Sequence, residues 1–276
     1  MYICPVCGKR LKLSDNSYRC QNSHSFDIAA KGYVNLLLSK GRNPAKAGDD
    51  PMMIKARTDF LDTGAYFPLA EELCRTLEKT LSGRKQPAVI DSGCGEGYYT
   101  AELAGAIPEA SVYGIDISKS GIAHAASRRN AKGIKNLELA VASGFALPFR
   151  AGFADAVVSV FAPVSNDEYA RVLKKGGKLI VVSPTERHLF GLKTVLYNEP
   201  YENKPNRYGL RSFTLTDEKR LEYSITLETD KQAADLFAMT PYYYKSSPEA
   251  KARLNGCAPL TTEVGFLLQT YTVNDM

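Results

Sequence analysis

Val89-Ile90-Asp91-Ser92-Gly93-Cys94-Gly95-Glu96-Gly97 is an apolar run that ends in an acid and then places glycine at alternate positions. Glycine lets backbone pass close to a ligand with no Cβ in the way, at the turn where a strand feeds a helix. Charge then selects the ligand. A dinucleotide or triphosphate loop meets anionic phosphate with backbone N–H groups and often a lysine. Here no Lys or Arg follows, and Asp91 and Glu96 flank the glycines. Two carboxylates repel pyrophosphate but suit a ligand carrying an ammonium and a sulfonium, as S-adenosylmethionine (SAM) does. Asp91, Gly93, Gly95, Glu96 and Gly97 are therefore candidate cofactor-binding residues.

Downstream, Val112-Tyr113-Gly114-Ile115-Asp116-Ile117 reads as a second buried strand ending in an acid. The spacing is that of the ribose-binding acid in nucleotide-binding βαβ units, which puts Asp116 on the ribose hydroxyls. Leu137 to Ala142, Ala156 to Val160 and Lys178 to Ser183 are further strands, the last preceded by the turn Lys175-Gly176-Gly177. Val264 to Tyr271 alternates and reads as an edge strand. Strands alternating with helix-length segments imply a parallel sheet covered on both faces. The glycine loop resembles the first motif of SAM-dependent methyltransferases. That likeness implies an α/β, Rossmann-like domain with a seven-stranded, mostly parallel sheet. Many such enzymes place an Asp just before the turn beside the adenine. Here Ser143-Gly144 precede Ala146-Leu147-Pro148-Phe149, so no carboxylate is expected to read adenine N6 at that point.

The start of the chain carries a second signal, Cys4-Pro5-Val6-Cys7 followed by Cys20-Gln21-Asn22-Ser23-His24. Two cysteines separated by two residues can bring both thiolates to one zinc ion, at about 2.3 Å each, while Cys20 and His24 complete the tetrahedron. Disulfides are the competing reading, and a reducing compartment disfavours them. A segment this short cannot bury enough apolar surface to fold alone, so the metal supplies much of its folding free energy. Cys74, Cys94 and Cys257 show no pairing pattern.

With 276 residues, 44% of them hydrophobic, the chain can bury one large core and carry a small appendage. No apolar run reaches the about 18 residues of a membrane span and no signal-peptide pattern opens the chain, so a cytoplasmic protein without a membrane partner is expected. Residues 1–60 hold ten Lys or Arg against five acids, which equals the net charge of +5, and the remainder is balanced. A basic excess on the finger and the segment behind it is the footprint expected for nucleic-acid phosphates. Tyr18, Phe26 and Tyr33 lie among these charges; they either stack on unpaired bases or fill a small core.

The expected division is a zinc-binding, RNA-recognising finger over 1–36, a linker and helix over 37–68, and the methyltransferase domain over 69–276. Ser39 to Gly48 has the composition of an exposed, mobile connector. Asp49-Asp50-Pro51 is a helix start, opening a helix to about Asp62. Leu69, Leu73, Leu77 and Leu81 mark an amphipathic helix. Tyr201 to Tyr208 and Tyr242-Tyr243-Tyr244 are read either as substrate-facing or as packing segments.

Taken together, the finger, Gly32-Tyr33-Val34-Asn35-Leu36-Leu37, Phe60-Leu61-Asp62-x-Gly64-x-Tyr66, the loop from Asp91 extended through Tyr98-Tyr99-Thr100, Arg187-His188-Leu189 and Met239-Thr240-Pro241 resemble the RlmA-type 23S rRNA guanine-N1 methyltransferases. The resemblance covers nearly the whole chain. It implies zinc on Cys4, Cys7, Cys20 and His24, and SAM contacts from Tyr66, Gly95, Glu96 and His188. It further implies N1-methylguanosine as product, in a loop of a 23S rRNA hairpin near the peptide exit tunnel. A homodimer would help one small finger grip a folded RNA.

Methyl transfer from SAM is an in-line displacement, so alignment and desolvation supply most of the catalysis. Guanine N1 carries a proton that must leave, and no motif is dedicated to removing it. The Asn-Pro-Pro-aromatic signature of many exocyclic-amine methyltransferases is missing, and Phe161-Ala162-Pro163-Val164 stands after the fourth strand. The Phe161 ring and nearby carbonyls could hold a flipped guanine. His188 could be a general base, or a histidine bonded to cofactor or backbone at a helix start. A small-metabolite methyltransferase would leave the basic finger idle; a noncatalytic SAM-binding RNA adaptor would bind SAM without turnover.

Overall fold

The computed structural model describes residues 2–38, 48–204 and 208–274. Most of the connector Ser39 to Gly48 and the middle of Tyr201 to Tyr208 lie outside the described residues. The first element is a three-stranded antiparallel ribbon of β1 (Lys12–Ser14), β2 (Ser17–Arg19) and β3 (Ser25–Asp27). Ser14 pairs with Ser17, and Asp15 takes the left-handed φ of 53° that a two-residue hairpin turn demands.

The second sheet has eight strands. Seven come from the catalytic part: β5 (Ala88–Ser92), β6 (Ser111–Asp116), β7 (Leu137–Val141), β8 (Ala154–Val160), β9 (Leu173–Pro184), β10 (Phe213–Leu227) and β11 (Leu260–Val273). The eighth, β4 (Val34–Asn35), leaves the ribbon and pairs parallel with Ala140 and Val141. The order is β10-β11-β9-β8-β5-β6-β7-β4, with β11 alone antiparallel to its neighbours β9 and β10, so that β10 runs in the direction of the parallel strands. The sequence anticipates seven strands; the extra one covers the edge of β7 that a parallel sheet would otherwise leave open.

Val264 to Tyr271 is not an edge. It lies inside β11, between β9 and β10, and its inward residues Val264, Phe266 and Leu268 are buried. The edge is β10, whose residues 214–220 are exposed throughout and so carry no alternation to read.

Helices cover both faces. On one side lie α2 (Phe67–Leu81), α3 (Tyr98–Ala106), α4 (Lys119–Ala131), α6 (Phe190–Leu196) and α7 (Asp230–Ala238), packed on Val89, Val112, Val158, Ile180 and Phe266. The α2 leucines at 69, 73, 77 and 81 all face this core. On the other side α5 (Asn166–Val172) and the ribbon cover Ile90, Ile115, Val157 and Val181. Tyr2 sits in an aromatic group with Tyr18, Tyr113 and Phe149, at centroid distances of 5.4, 6.0 and 5.4 Å. Such pairs contribute about 0.5–1.5 kcal/mol each beyond burial. The short helix α8 (Pro248–Ala252) precedes β11.

One helix sets up the site. The helix α1 (Pro51–Leu61) begins where expected, with Asp50 Oδ1 accepting from the Met53 N–H at 2.9 Å. It packs against α4 and α7, with Ile54, Phe60 and Leu61 buried, and so lies over the turn that follows β5.

Candidate active site and metal centre

The ribbon presents four donors from two tight turns. Gly8, at φ 70°, closes the first with its N–H on the Cys4 carbonyl, and Ser23, at φ 61°, shapes the second. The ligand atoms of Cys4, Cys7, Cys20 and His24 lie within 4.8 Å of one another. Cys7 Sγ is 3.7 Å from Cys20 Sγ, and His24 Nδ1 is 3.5 and 3.4 Å from the sulfurs of Cys4 and Cys20. Thiolates at about 2.3 Å from a tetrahedral zinc stand about 3.8 Å apart, so the donor set fits one zinc ion held through Nδ1. Four protein donors leave no open coordination position, which makes the ion structural.

The aromatics of this region hold the ribbon rather than offer themselves to a base. Tyr18 OH donates to Glu138 Oε2 on β7 at 3.1 Å, Tyr33 is buried in the main core, and Phe26 packs partly buried beside Tyr2 and its neighbours. The exposed cations of the ribbon are Lys9, Arg10, Lys12, Arg19 and Lys31. Lys55 and Arg57, counted with them in the sequence, are ion-paired on α1 to Asp59 and Asp49.

At the end of β5 the three glycines all have left-handed φ, at 86°, 55° and 82°. They do different jobs. A Cβ on Gly93 would stand 2.4 Å from the Ala162 Cβ, and one on Gly97 would stand 2.6 Å from the Ala125 Cβ of α4. These two positions let the neighbouring segments approach. Gly95 meets only the tip of the Arg57 side chain, at 3.3 Å, and is the residue that leaves room for a ligand.

The candidate acids are likewise distinct. Asp91 is 2% exposed; its Oδ2 accepts from Thr100 Oγ1 at 2.5 Å, while Oδ1 has no partner among the described residues. Burial pushes its carboxyl up to about 7. An unpaired buried carboxylate oxygen is costly and is matched by a cationic ligand group such as the SAM ammonium. Asp116 accepts from the N–H groups of Gly95 at 2.8 Å and Ser118 at 2.7 Å, which braces the glycine turn against β6. Burial raises its pKa as well. Glu96 is tied into the loop's frame: Arg128 Nη2 donates to its Oε2 at 2.7 Å and the Tyr98 N–H to its Oε1 at 3.2 Å.

Tyr66 and His188 meet although far apart in sequence. The Tyr66 hydroxyl is 3.5 Å from His188 Nε2, and the Gly265 N–H donates to His188 Nδ1 at 3.2 Å. With its Nδ1 lone pair taken, the neutral ring carries its proton on Nε2. Burial holds the imidazole down at about 3. His188 therefore has no lone pair to act as a general base, and of the two readings the backbone-bonded one describes it. Phe161, at φ 53° and 43% exposed, stands just past the end of β8, its ring 6.1 Å from His188 and 5.8 Å from Phe266. A bulky residue at positive φ in an exposed aromatic position is stored strain of the kind found at ligand clamps. Of the carbonyls beside it, Ala162 O accepts from Ser159 Oγ and Pro163 O from Tyr169 OH. A Cβ on Gly144 would meet Ser92 Oγ at 2.7 Å, so a side chain there would have to displace that hydroxyl; Phe145 next to it is 62% exposed.

Tyr242 and Tyr243 pack, on Asn203 and Phe237, whereas Tyr244 is exposed with its hydroxyl on Asp50. Arg57 is the residue that sequence reading missed. It lies a whole helix before the loop and reaches Gly95 only because α1 docks there.

Two family descriptions match: "RlmA, N-terminal" over residues 2–41 and "Methyltransferase domain" over residues 89–177. The YcgJ protein from Bacillus subtilis shares the fold, with a TM-score of 0.52 at 17% identity over 75% of this chain and 100% of that one. A 23S rRNA (guanine(748)-N(1))-methyltransferase from Streptomyces fradiae is 33% identical over 95% of this chain and 94% of its own length. A relative from Micromonospora griseorubida is 32% identical over 98% and 92%. A metal-binding ribbon, a SAM-type loop and similarity across both together place the chain in one family: it belongs to the 23S rRNA (guanine-N1)-methyltransferases.

Proposed function

We propose that this chain transfers the methyl group of SAM to N1 of a guanine in a hairpin loop of 23S rRNA, in the cytoplasm. The observation that carries the reading is the fixed docking of the basic ribbon on the catalytic sheet. The Ile3 N–H donates to Pro148 O at 2.8 Å, Val34 and Asn35 extend the sheet, and Tyr18 is bonded to Glu138. RNA held by residues 1–36 is thereby kept in register with residues 69–276, with 37–68 connecting them.

Bound SAM supplies an electrophilic methyl on a sulfonium. Asp91 holds its ammonium, Asp116 the ribose hydroxyls, and Gly95 admits the chain of the cofactor, with Gly93 and Gly97 shaping the turn. Tyr66 and His188 form a wall beside the methionine end; Glu96 acts through Arg128 and the start of α3. Phe161 is the platform for the flipped guanine, which needs its stack broken before N1 is accessible. Catalysis then comes from alignment in a site closed to water.

Hairpins transcribed singly from the rRNA and incubated with labelled SAM test the substrate. Label confined to one hairpin is expected; label only in intact rRNA, or spread over many hairpins, refutes it. A homodimer presenting two ribbons to one RNA is part of the proposal, and light scattering at the mass of a single chain on RNA and off it would remove it.

A further inference from the structure

The acidic bowl around the glycine loop raises a problem that the loop itself does not solve. SAM brings an ammonium that suits Asp91 and ribose hydroxyls that suit Asp116, but its methionine end also carries a carboxylate. Beside those acids a carboxylate is repelled unless a cation meets it. Arg128 is already shared between Glu96 and Asp62, at 2.7 Å each. The cation that stands over the loop is Arg57, whose Nη1 is 3.3 Å from the Cβ position of Gly95.

Arg57 is placed there by packing. Ile54, one turn earlier on α1, is fully buried, and its Cδ1 is 3.4 Å from the Cβ position of Gly121 in the first turn of α4. The guanidinium is paired with the Asp49 carboxylate, and both side chains are only partly exposed, at 23% and 31%. Asp49 is itself pinned beside the ribose acid: its carbonyl accepts from Ser118 Oγ at 2.9 Å and Ser120 Oγ at 3.3 Å, next to Asp116. An arginine–carboxylate pair thus lies across the loop, between Gly95 and Asp116.

We propose that Arg57 is the binding residue for the methionine carboxylate of SAM, and that Asp49 is its stand-in, displaced when the cofactor enters. A planar guanidinium takes a carboxylate through two parallel hydrogen bonds, which a lysine cannot reproduce. The exchange swaps one carboxylate for another on the same cation, so no charge is left unpaired on Arg57. It also releases the Asp49 side chain from α1, at the point where the chain arrives from the RNA-gripping ribbon. The inference rests on SAM occupying the glycine loop.

The test is calorimetry on the full, zinc-loaded chain with SAM and with decarboxylated SAM, which lacks only that carboxylate. Wild type should bind SAM about 10- to 100-fold more tightly than the decarboxylated form, the worth of a charge-assisted bond in a partly buried site. Arg57→Gln should erase that difference by weakening SAM alone, Arg57→Lys should keep part of it, and Asp49→Asn should tighten SAM by removing the competitor. Equal affinity of wild type for the two ligands overturns the assignment, as does an Arg57→Gln loss that is the same for both. The wild-type comparison decides even if the variants do not fold. Failure of wild type to bind either ligand would instead remove the cofactor reading, and this assignment with it.

Discussion

Three residues of the loop make separable predictions. Asp91 must be ionised to hold an ammonium, and burial keeps its carboxyl at about 7. SAM affinity should therefore rise about tenfold per pH unit below that value and level off above it, and Asp91→Asn should abolish the dependence. Without ligand the sign is opposite: a carboxyl whose folded pKa is raised contributes stability fully present below its unfolded value and lost as pH rises through about 7. Thermal unfolding with and without SAM across that range checks both. Gly97→Ala would set a Cβ against the α4 backbone at φ 82° and should cost about 2 kcal/mol or more of stability. Gly95→Ala meets only the flexible Arg57 tip and should cost SAM affinity first. Because His188 is neutral and accepts from Gly265, His188→Ala should lower stability by about 1–3 kcal/mol, yet leave the shape of the pH–rate profile unchanged. The metal ligands were legible because they sit in a short local pattern. The role of His188 was not, since its partner Gly265 comes from a distant strand and burial sets its protonation.

At the level of elements, the parallel strands could be read because burial on both faces leaves continuous apolar runs such as Val157-Val158 and Ile180-Val181. The strand β10 could not. Its stretch Thr214 to Arg220 is exposed and, apart from Leu215, polar or charged, as an edge strand should be, and carries no period. The short β4 was equally silent: two residues have no pattern, and only the ribbon's docking defines them. That docking predicts the effect of metal removal. Chelation should unfold the ribbon, uncover β7, and speed amide exchange at Leu137 to Val141. SAM affinity should change little, because the glycine loop and α1 do not touch the zinc ligands. If chelation abolished SAM binding, the ribbon would be a structural part of the cofactor site.

For the molecule as a whole, the sequence placed the basic excess on the first sixty residues; among the described residues its exposed ribbon cations are Lys9, Arg10, Lys12, Arg19 and Lys31, while Lys40, Arg42 and Lys46 lie outside the described residues. RNA affinity should fall steeply with salt, and replacing Lys9, Arg10 and Lys12 by alanine should reduce the slope by roughly one per lost phosphate contact. Turnover of a small molecule would scarcely respond to salt, and SAM affinity of the triple variant should match wild type. The direct test of the account is to give zinc-loaded protein and labelled SAM to unmodified 23S rRNA and identify the methylated nucleoside by digestion and mass spectrometry. N1-methylguanosine is the predicted product. Methyl on another atom of guanine or on another base, or no transfer to rRNA by protein that still binds SAM, would contradict it.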